Sequence, residues 1–393
     1  MSMTARSQID EIAARALDGG APSRDDLAVL LAVDEPAAAE PLFAAARELT
    51  RRSFGDRVTL YGFVYFSTYC RNDCTFCLYR RGNPQSPRYR KSRDEVVAIA
   101  TRLAASGVSL IDLTMGEDPL YFATREFDAL VGLVRAVKDA TGLPVMISPG
   151  VVSADVLGAL RDAGADWYAC YQETHAPAVY ARLRMGQDFA ERAQARVDAG
   201  ALGLLVEDGM LLGTGETVAD RALTVAAMRD EAVEQVRVMT FVPQRGTPLA
   251  QVPRPGTFAE LVTIATMRLA MPDRLIPASL DVDGIEGLEP RIAAGANVVT
   301  SIVPPRTGLA GVSQAELDID EGLRTAAEVS ERLAGLGLQP TPPREYAAWV
   351  AQARARRREQ LSSRDTSGGG RVGDADRETG RSARGERRAA GGA

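Results

Sequence analysis

Cys70, Cys74 and Cys77 stand in a C-x3-C-x2-C spacing within Phe66 to Leu78, FSTYCRNDCTFCL, and make up three of the four cysteines in the chain. Thiolates are soft ligands for iron and zinc. Three on one short loop can close on one face of a small metal cluster without reaching a fourth corner. A 4Fe-4S cluster held in this way keeps one iron without a protein ligand. The alternative is a structural zinc site, with Cys170 or His175 completing a tetrahedron, although zinc ribbons bring paired C-x2-C knuckles and the chain has one such pair. A disulfide framework fits less well, because the N-terminal segment MSMTARSQIDEIAARAL carries acids early and lacks the apolar run of an export signal. A reducing compartment, the cytoplasm, is expected.

A second set of residues stands where apolar side chains are expected. Asp112 interrupts SLIDLTM and Arg237 interrupts QVRVMTF, while Ser279 and Asp281 lie two apart in PASLDVDG, which turns both to one face of an extended segment. Charges on buried strands are costly unless paired or used. One reading is an internal salt-bridge network between Arg237 and the two aspartates. The other is a receptor for a zwitterion, in which Arg237 takes a carboxylate through two parallel donors and the aspartates take ammonium groups. One cation and two anions complement a diamino acid such as lysine or ornithine.

Other positions carry weaker signals. Gly116 and Glu117 open the segment GEDP, where a glycine's bare backbone can approach a ligand closely. Glu173 and Arg192 fall in YQETHAPAVYARLRMGQDFAERAQA, either as ligand contacts or as a helix cap and a solvated helix face. His175, the only histidine, reads as a loop residue and Cys170 as core.

These groups need a scaffold. Eight short apolar runs, at 58–66, 109–114, 144–148, 167–172, 203–207, 235–241, 274–280 and 297–302, alternate with amphipathic stretches near 92–105, 124–140, 154–163, 189–199, 217–231, 257–271, 287–294 and 318–335. This is the pattern of repeated βα units, and eight of them predict an α/β fold of the TIM-type (βα)8 barrel kind rather than a doubly wound sheet. Chemistry in such barrels sits at the C-terminal ends of the strands, where the cysteine loop and the four polar strand residues fall. That placement favours the receptor reading. Around the barrel at 53–345 we expect an N-terminal helical lead-in at 1–52 with Ser23 as an N-cap, a C-terminal helix at 346–361, and a disordered Arg/Gly-rich tail at 362–393. The segment from Arg354 onward holds eleven arginines against six acids, so a net charge of −6 leaves −11 on the preceding residues, which is no surface for nucleic acid. No apolar run approaches the roughly 18 residues of a membrane span, so no membrane partner is expected.

Taken together, FVYFSTYCRNDCTFC, VSLIDLTMGEDP, LPVMISPGV, YQETHAPAVYARLRMGQ, VRVMTFVPQRGTPL, IPASLDVDGIEG and GANVVTSIVPP resemble the methylornithine synthases, radical-SAM enzymes that open pyrrolysine biosynthesis. The resemblance runs from about Asp10 to Tyr346. It implies one 4Fe-4S cluster on Cys70, Cys74 and Cys77, S-adenosylmethionine (SAM) at the open iron, Phe76 as the aromatic before the last cysteine, and an external low-potential electron donor. Gly116 and Glu117 match the element that holds the SAM amino group. Glu173 and Arg192 match a pair that grips SAM in the subgroup containing biotin synthase and the hydrogenase maturases. Asp112, Arg237, Ser279 and Asp281 match residues that bind the amino-acid product. The implied reaction turns L-lysine into (3R)-3-methyl-D-ornithine: a 5'-deoxyadenosyl radical takes a side-chain hydrogen, a carbon-carbon bond breaks, and the fragments recombine. A radical-SAM lyase acting on another amino acid shares the first steps and is the alternative. Leu78 stands where that family is expected to have an aromatic, and the Arg-rich tail lies outside the resemblance.

Overall fold

All eight apolar runs form strands. The computed structural model describes residues 3–123, 127–313 and 324–368. Its strands are β1 (Arg57–Ser67), β2 (Leu110–Met115), β3 (Val145–Ser148), β4 (Trp167–Ala169), β5 (Leu205–Leu212), β6 (Gln235–Thr240), β7 (Pro277–Ser279), β8 (Val298–Ile302) and a short β9 (Gln339–Pro340). They pair in parallel in the order β6-β5-β4-β3-β2-β1-β8-β7, with β9 beside the start of β1. Strands such as VMIS and VVTSI are buried almost throughout because a parallel strand is covered on both faces.

The barrel stops just short of full closure. Between β6 and β7 a single bridge joins Gln235 to Leu275 and no ladder follows. Pro277 opens β7 and has no N–H to donate, so the pairing cannot be carried upward through it. The seam is tied at the N-terminal end and parts toward the C-terminal end.

The helices are α1 (Met3–Leu17), α2 (Arg24–Leu31), α3 (Pro36–Phe54), α4 (Arg93–Ala105), α5 (Pro119–Ala123), α6 (Asp128–Thr141), α7 (Ala154–Asp162), α8 (Pro177–Leu183), α9 (Phe189–Ala201), α10 (Val218–Asp230), α11 (Thr257–Ala270), α12 (Leu288–Ala293), α13 (Ala326–Gly335) and α14 (Pro343–Gly368). Ser23 caps α2 in a capping box with Asp26, an arrangement worth about 1 kcal/mol. The lead-in α1 to α3 buries Ile9, Leu30 and Leu42 against Val262 and Leu269 of α11, so it is bound to the outside of the barrel. Residues 318–323 of the helix expected at 318–335 lie outside the described residues.

The last helix differs from expectation at both ends. It begins at Pro343, where a missing N–H costs nothing in the first turn, and continues past 361 to Gly368. Leu361 is the last large apolar residue of the chain's helical end before a Ser, Asp, Thr and Gly stretch of low helix propensity, and the helix nonetheless runs on through it. The part of the expected disordered tail beyond Gly368 lies outside the described residues. Tyr346, Val350 and Ala353 of α14 pack across the N-terminal strand ends with Leu110, Met146, Trp167 and Leu205, and Trp349 stacks on Trp167 at 6.1 Å. Arg354 pairs with Asp166 at 2.7 Å, and Arg357 pairs with Glu234. The barrel therefore has a sealed floor. Among the described residues no helix is long and apolar enough to cross a membrane.

Candidate active site

The chain leaves β1 at Ser67 and returns against it as far as Lys91, whose N–H reaches the Phe66 carbonyl at 2.8 Å. Arg88 staples this loop by donating to the carbonyls of Thr68, Tyr79 and Arg80 at 2.5, 2.9 and 2.7 Å. Asp73 accepts from Arg81 at 2.7 Å and from the Gly82 N–H at 2.8 Å. The three cysteines are thus on a fixed turn at the C-terminal end of the barrel. A Cβ on Gly116 would lie 2.3 Å from the Tyr69 carbonyl oxygen and 2.9 Å from Cys70 Cβ. The cysteine loop thus approaches Gly116 closely on the side where a side chain would stand.

The thiols of the loop are crowded and largely removed from solvent. Burial pushes the Cys70 thiol up to about 11 and the Cys77 thiol further, and the neighbouring cysteines add to both. A positively charged metal centre beside them would relieve both. The Cys74 sulfur accepts from Gln187 Nε2 at 3.0 Å. Among the described residues, the one trio of His, Cys, Asp or Glu ligand atoms within 4.8 Å of each other is His175, Asp208 and Glu231. The cysteine sulfurs are thus spread wider than a single zinc with bonds of about 2.3 Å would span. Neither candidate for a fourth zinc ligand joins them. Cys170 accepts from Arg192 at 3.1 Å, and His175 Nε2 lies 3.2 Å from Glu231 and 3.4 Å from Asp208.

Beside the loop are two buried carboxylate–arginine pairs. Glu117 takes Arg71 at 2.8 Å, Arg192 at 3.4 Å and the Val151 N–H at 3.2 Å. Arg192 is 3% exposed, which removes the solvated-face reading, and its Nε is buried without a partner. Glu173 sits in the left-handed region at φ 67, a conformation that costs a non-glycine residue of order 1 kcal/mol. Its backbone is held there by exchange with Gly209 and Leu211, both at 2.9 Å, so Glu173 prolongs the β4–β5 pairing and is not a helix cap. Arg184 takes one oxygen at 2.6 Å, and the other is buried and unpartnered. The cation beside Glu173 is therefore Arg184, eleven residues on, which the sequence reading missed. Unmatched donors and an unmatched acceptor beside the cysteines form a cradle suited to a zwitterionic headgroup.

One pocket joins the cysteine loop to the strand residues. Phe76 and Cys77 stand in its wall with Asp112, Arg237, Ser279 and Asp281, so the structure brings all four predicted receptor residues together. Their pairing departs from the predicted network. Arg237 gives Nε to Glu207 at 2.7 Å and Nη1 to Thr300 at 3.1 Å, and leaves Nη2 buried without a partner. Tyr171 donates to the other Glu207 oxygen at 3.0 Å, with the guanidinium 5.5 Å from its ring centroid. Asp281 takes Arg324 at 3.3 Å and the Ser313 N–H at 3.0 Å. Ser279 Oγ lies 3.4 Å from Ser301 Oγ. Glu173 and Glu260, also in the wall, are paired with Arg184 and Arg291, so Asp112, Glu207 and Asp281 against Arg237 and Arg324 leave one negative charge in excess, which still complements a diamino acid.

Asp112 bears that excess. Its hydrogen-bond partner is Thr114 at 3.0 Å, and burial first, then the Glu207 charge, pushes its carboxyl up to about 7 against the pull of Arg237. A folded-state value above the unfolded one means that Asp112 costs nothing below about pH 4 and costs progressively more up to about pH 7. Asp112→Asn should therefore stabilise the ligand-free protein, by roughly 2 kcal/mol more at pH 8.5 than at pH 5.5, as read from denaturant unfolding at the two pH values. Equal effects at both would mean that Asp112 is not the buried titrating group.

A radical SAM superfamily model matches residues 64–228. A 3-methylornithine synthase from Methanosarcina acetivorans is 42% identical over 342 residues, covering 87% of this chain and 97% of its own length. One from Methanosarcina barkeri is 40% identical, covering 88% and 97%. A crystal structure of methylornithine synthase (PylB) superposes with a TM-score of 0.81 at 41% identity, covering 86% of this chain and 99% of that one.

Proposed function

Because the chain belongs to the 3-methylornithine synthase family of the radical SAM superfamily, we propose that its pocket takes L-lysine and releases (3R)-3-methyl-D-ornithine, the opening step of pyrrolysine biosynthesis. The observation that carries this reading is the pocket itself, which places a buried, half-used guanidinium and an unpaired carboxylate within one chamber whose wall includes Cys77.

Cys70, Cys74 and Cys77 would hold the 4Fe-4S cluster as its three protein ligands, and Glu173 and Arg192, with the Gly116–Glu117 turn behind them, would hold SAM. An external low-potential donor must supply the electron. Bound together, the two groups supply hydrogen-atom abstraction from an unactivated carbon.

The chain's own residues do the rest by confinement. Arg237 Nη2 donates to the substrate carboxylate, and Asp112 accepts from one ammonium. Asp281 and Ser279 bound the other end, with Asp281 already shared with Arg324. Phe63, Tyr171 and Val238 line the wall between these polar ends and keep water from the methylene chain. A skeleton rearrangement through two fragments needs both held at once, and anchors at two ends prevent either from turning or leaving.

The test is product analysis from lysine, SAM and a low-potential reductant with anaerobically purified enzyme. Methylornithine is an isomer of lysine and has the same mass, so chromatographic separation and NMR are required. A new lysine isomer is expected. Release of glycine or another fragment without the isomer would favour the lyase reading instead.

A further inference from the structure

We propose that Glu207 is a positioning residue for substrate recognition: resting on the lysine reading, it fixes the Arg237 guanidinium so that one donor faces the substrate carboxylate, and it keeps Arg237 from collapsing onto Asp112. Glu207 is fully buried in β5, behind the pocket wall. Both of its oxygens are used, one by Arg237 Nε at 2.7 Å and one by the Tyr171 hydroxyl at 3.0 Å. A guanidinium is planar, so fixing Nε on Glu207 and Nη1 on Thr300 fixes the direction of Nη2. That Nη2 is the buried donor left unpartnered. Gly209 faces Arg237 across the β5–β6 ladder, and a Cβ there would lie 3.2 Å from the Tyr171 ring and 3.3 Å from Arg237 Cβ. The missing side chain gives the three groups room to assemble.

The second half of the proposal is electrostatic. The charged and titratable groups acting on Asp112 are Glu207 from β5 and Arg237 from β6, with Tyr171 from the segment after β4 coupled to Asp112 as well. With Glu207 neutral, Asp112 is the carboxylate left to compensate Arg237. A direct pair between them would take both substrate-binding charges out of use. Glu207 thereby keeps a cation and an anion apart in a space where they would otherwise neutralise each other.

Lysine and SAM binding to the reconstituted holoenzyme, measured by titration calorimetry from pH 5.5 to 8.5, separates the possibilities. In the native enzyme lysine affinity should fall below about pH 7 as Asp112 takes a proton. Glu207→Gln should weaken lysine binding at least 30-fold at pH 8, leave SAM affinity within twofold, and move the pH midpoint down by a unit or more. Glu207→Asp keeps the charge but is too short to reach both partners, so it should weaken lysine binding and leave the midpoint in place. Tyr171→Phe should do the same more mildly, and these two variants carry the test if Glu207→Gln does not fold. Lysine affinity within threefold of native in Glu207→Gln overturns the proposal. So does weak binding with an unmoved midpoint in Glu207→Gln, which is what a merely structural glutamate would give. If the native enzyme itself does not bind lysine, the functional reading fails and the proposal goes with it.

Discussion

Arg237→Gln is expected to abolish methylornithine formation and to destabilise the protein in the same step. The two losses have different causes. The substrate carboxylate loses its charged anchor, and Glu207, fully buried, is left without a counter-charge. Removing one partner of a buried pair costs about 3–5 kcal/mol, because the remaining charge is stranded in a medium that cannot solvate it. Removing both charges should undo most of that cost, so Arg237→Gln with Glu207→Gln should melt near the native temperature and still make no methylornithine. The cysteine loop and the SAM cradle lie elsewhere, so both variants should continue to cleave SAM slowly to 5'-deoxyadenosine. Product yield, 5'-deoxyadenosine yield and melting temperature on one preparation of each protein decide the matter. A double variant that rearranges lysine at a near-native rate would make Arg237 a structural residue.

The second large effect concerns the cysteines. Replacing Cys70, Cys74 or Cys77 by alanine should cost the protein its iron, its brown colour and all turnover, because a cluster cannot keep an open iron with only two protein thiolates holding it. Cys170→Ala should keep full iron content. Its sulfur accepts from Arg192, which also donates to the Tyr171 carbonyl at 3.3 Å and to Gln187 at 3.0 Å. Iron loss in Cys170→Ala as deep as in Cys74→Ala would show that the ligand set is wrong. A colourless native protein containing zinc would remove the cluster reading altogether.

The barrel and the positions of the reactive residues were legible in the sequence because both are local signals. Strand runs repeat at short range, and three cysteines in eight residues need no partner to be noticed. What could not be read was which charge meets which. Arg237 finds Glu207 thirty positions away, and Asp281 finds Arg324 forty-three positions away, across strands whose adjacency no local pattern encodes. The apolar run expected at 203–207 is part of a longer strand, since β5 continues through Glu207 to Leu212. Glu173 carried no sign of its positive φ, since that conformation is imposed by Gly209 and Leu211 from the neighbouring strand. Gly116 was legible as a close approach, and the cysteine loop is the neighbour that makes it.

The sealed floor has a consequence for the order of events. Among the described residues, α14 covers the N-terminal strand ends, so the chamber opens toward the end of the barrel that carries the cysteine loop. Asp112 and Arg237 each stand third from the start of a strand, below the turn that carries Cys70, Cys74 and Cys77. A nucleoside seated on that turn would cover the amino acid like a stopper. Lysine must then arrive first and its product leave last, and SAM bound to the empty enzyme is a dead end that lysine cannot pass. Initial-rate kinetics should show inhibition at high SAM that rising lysine relieves, a pattern that random access through an open barrel would not produce.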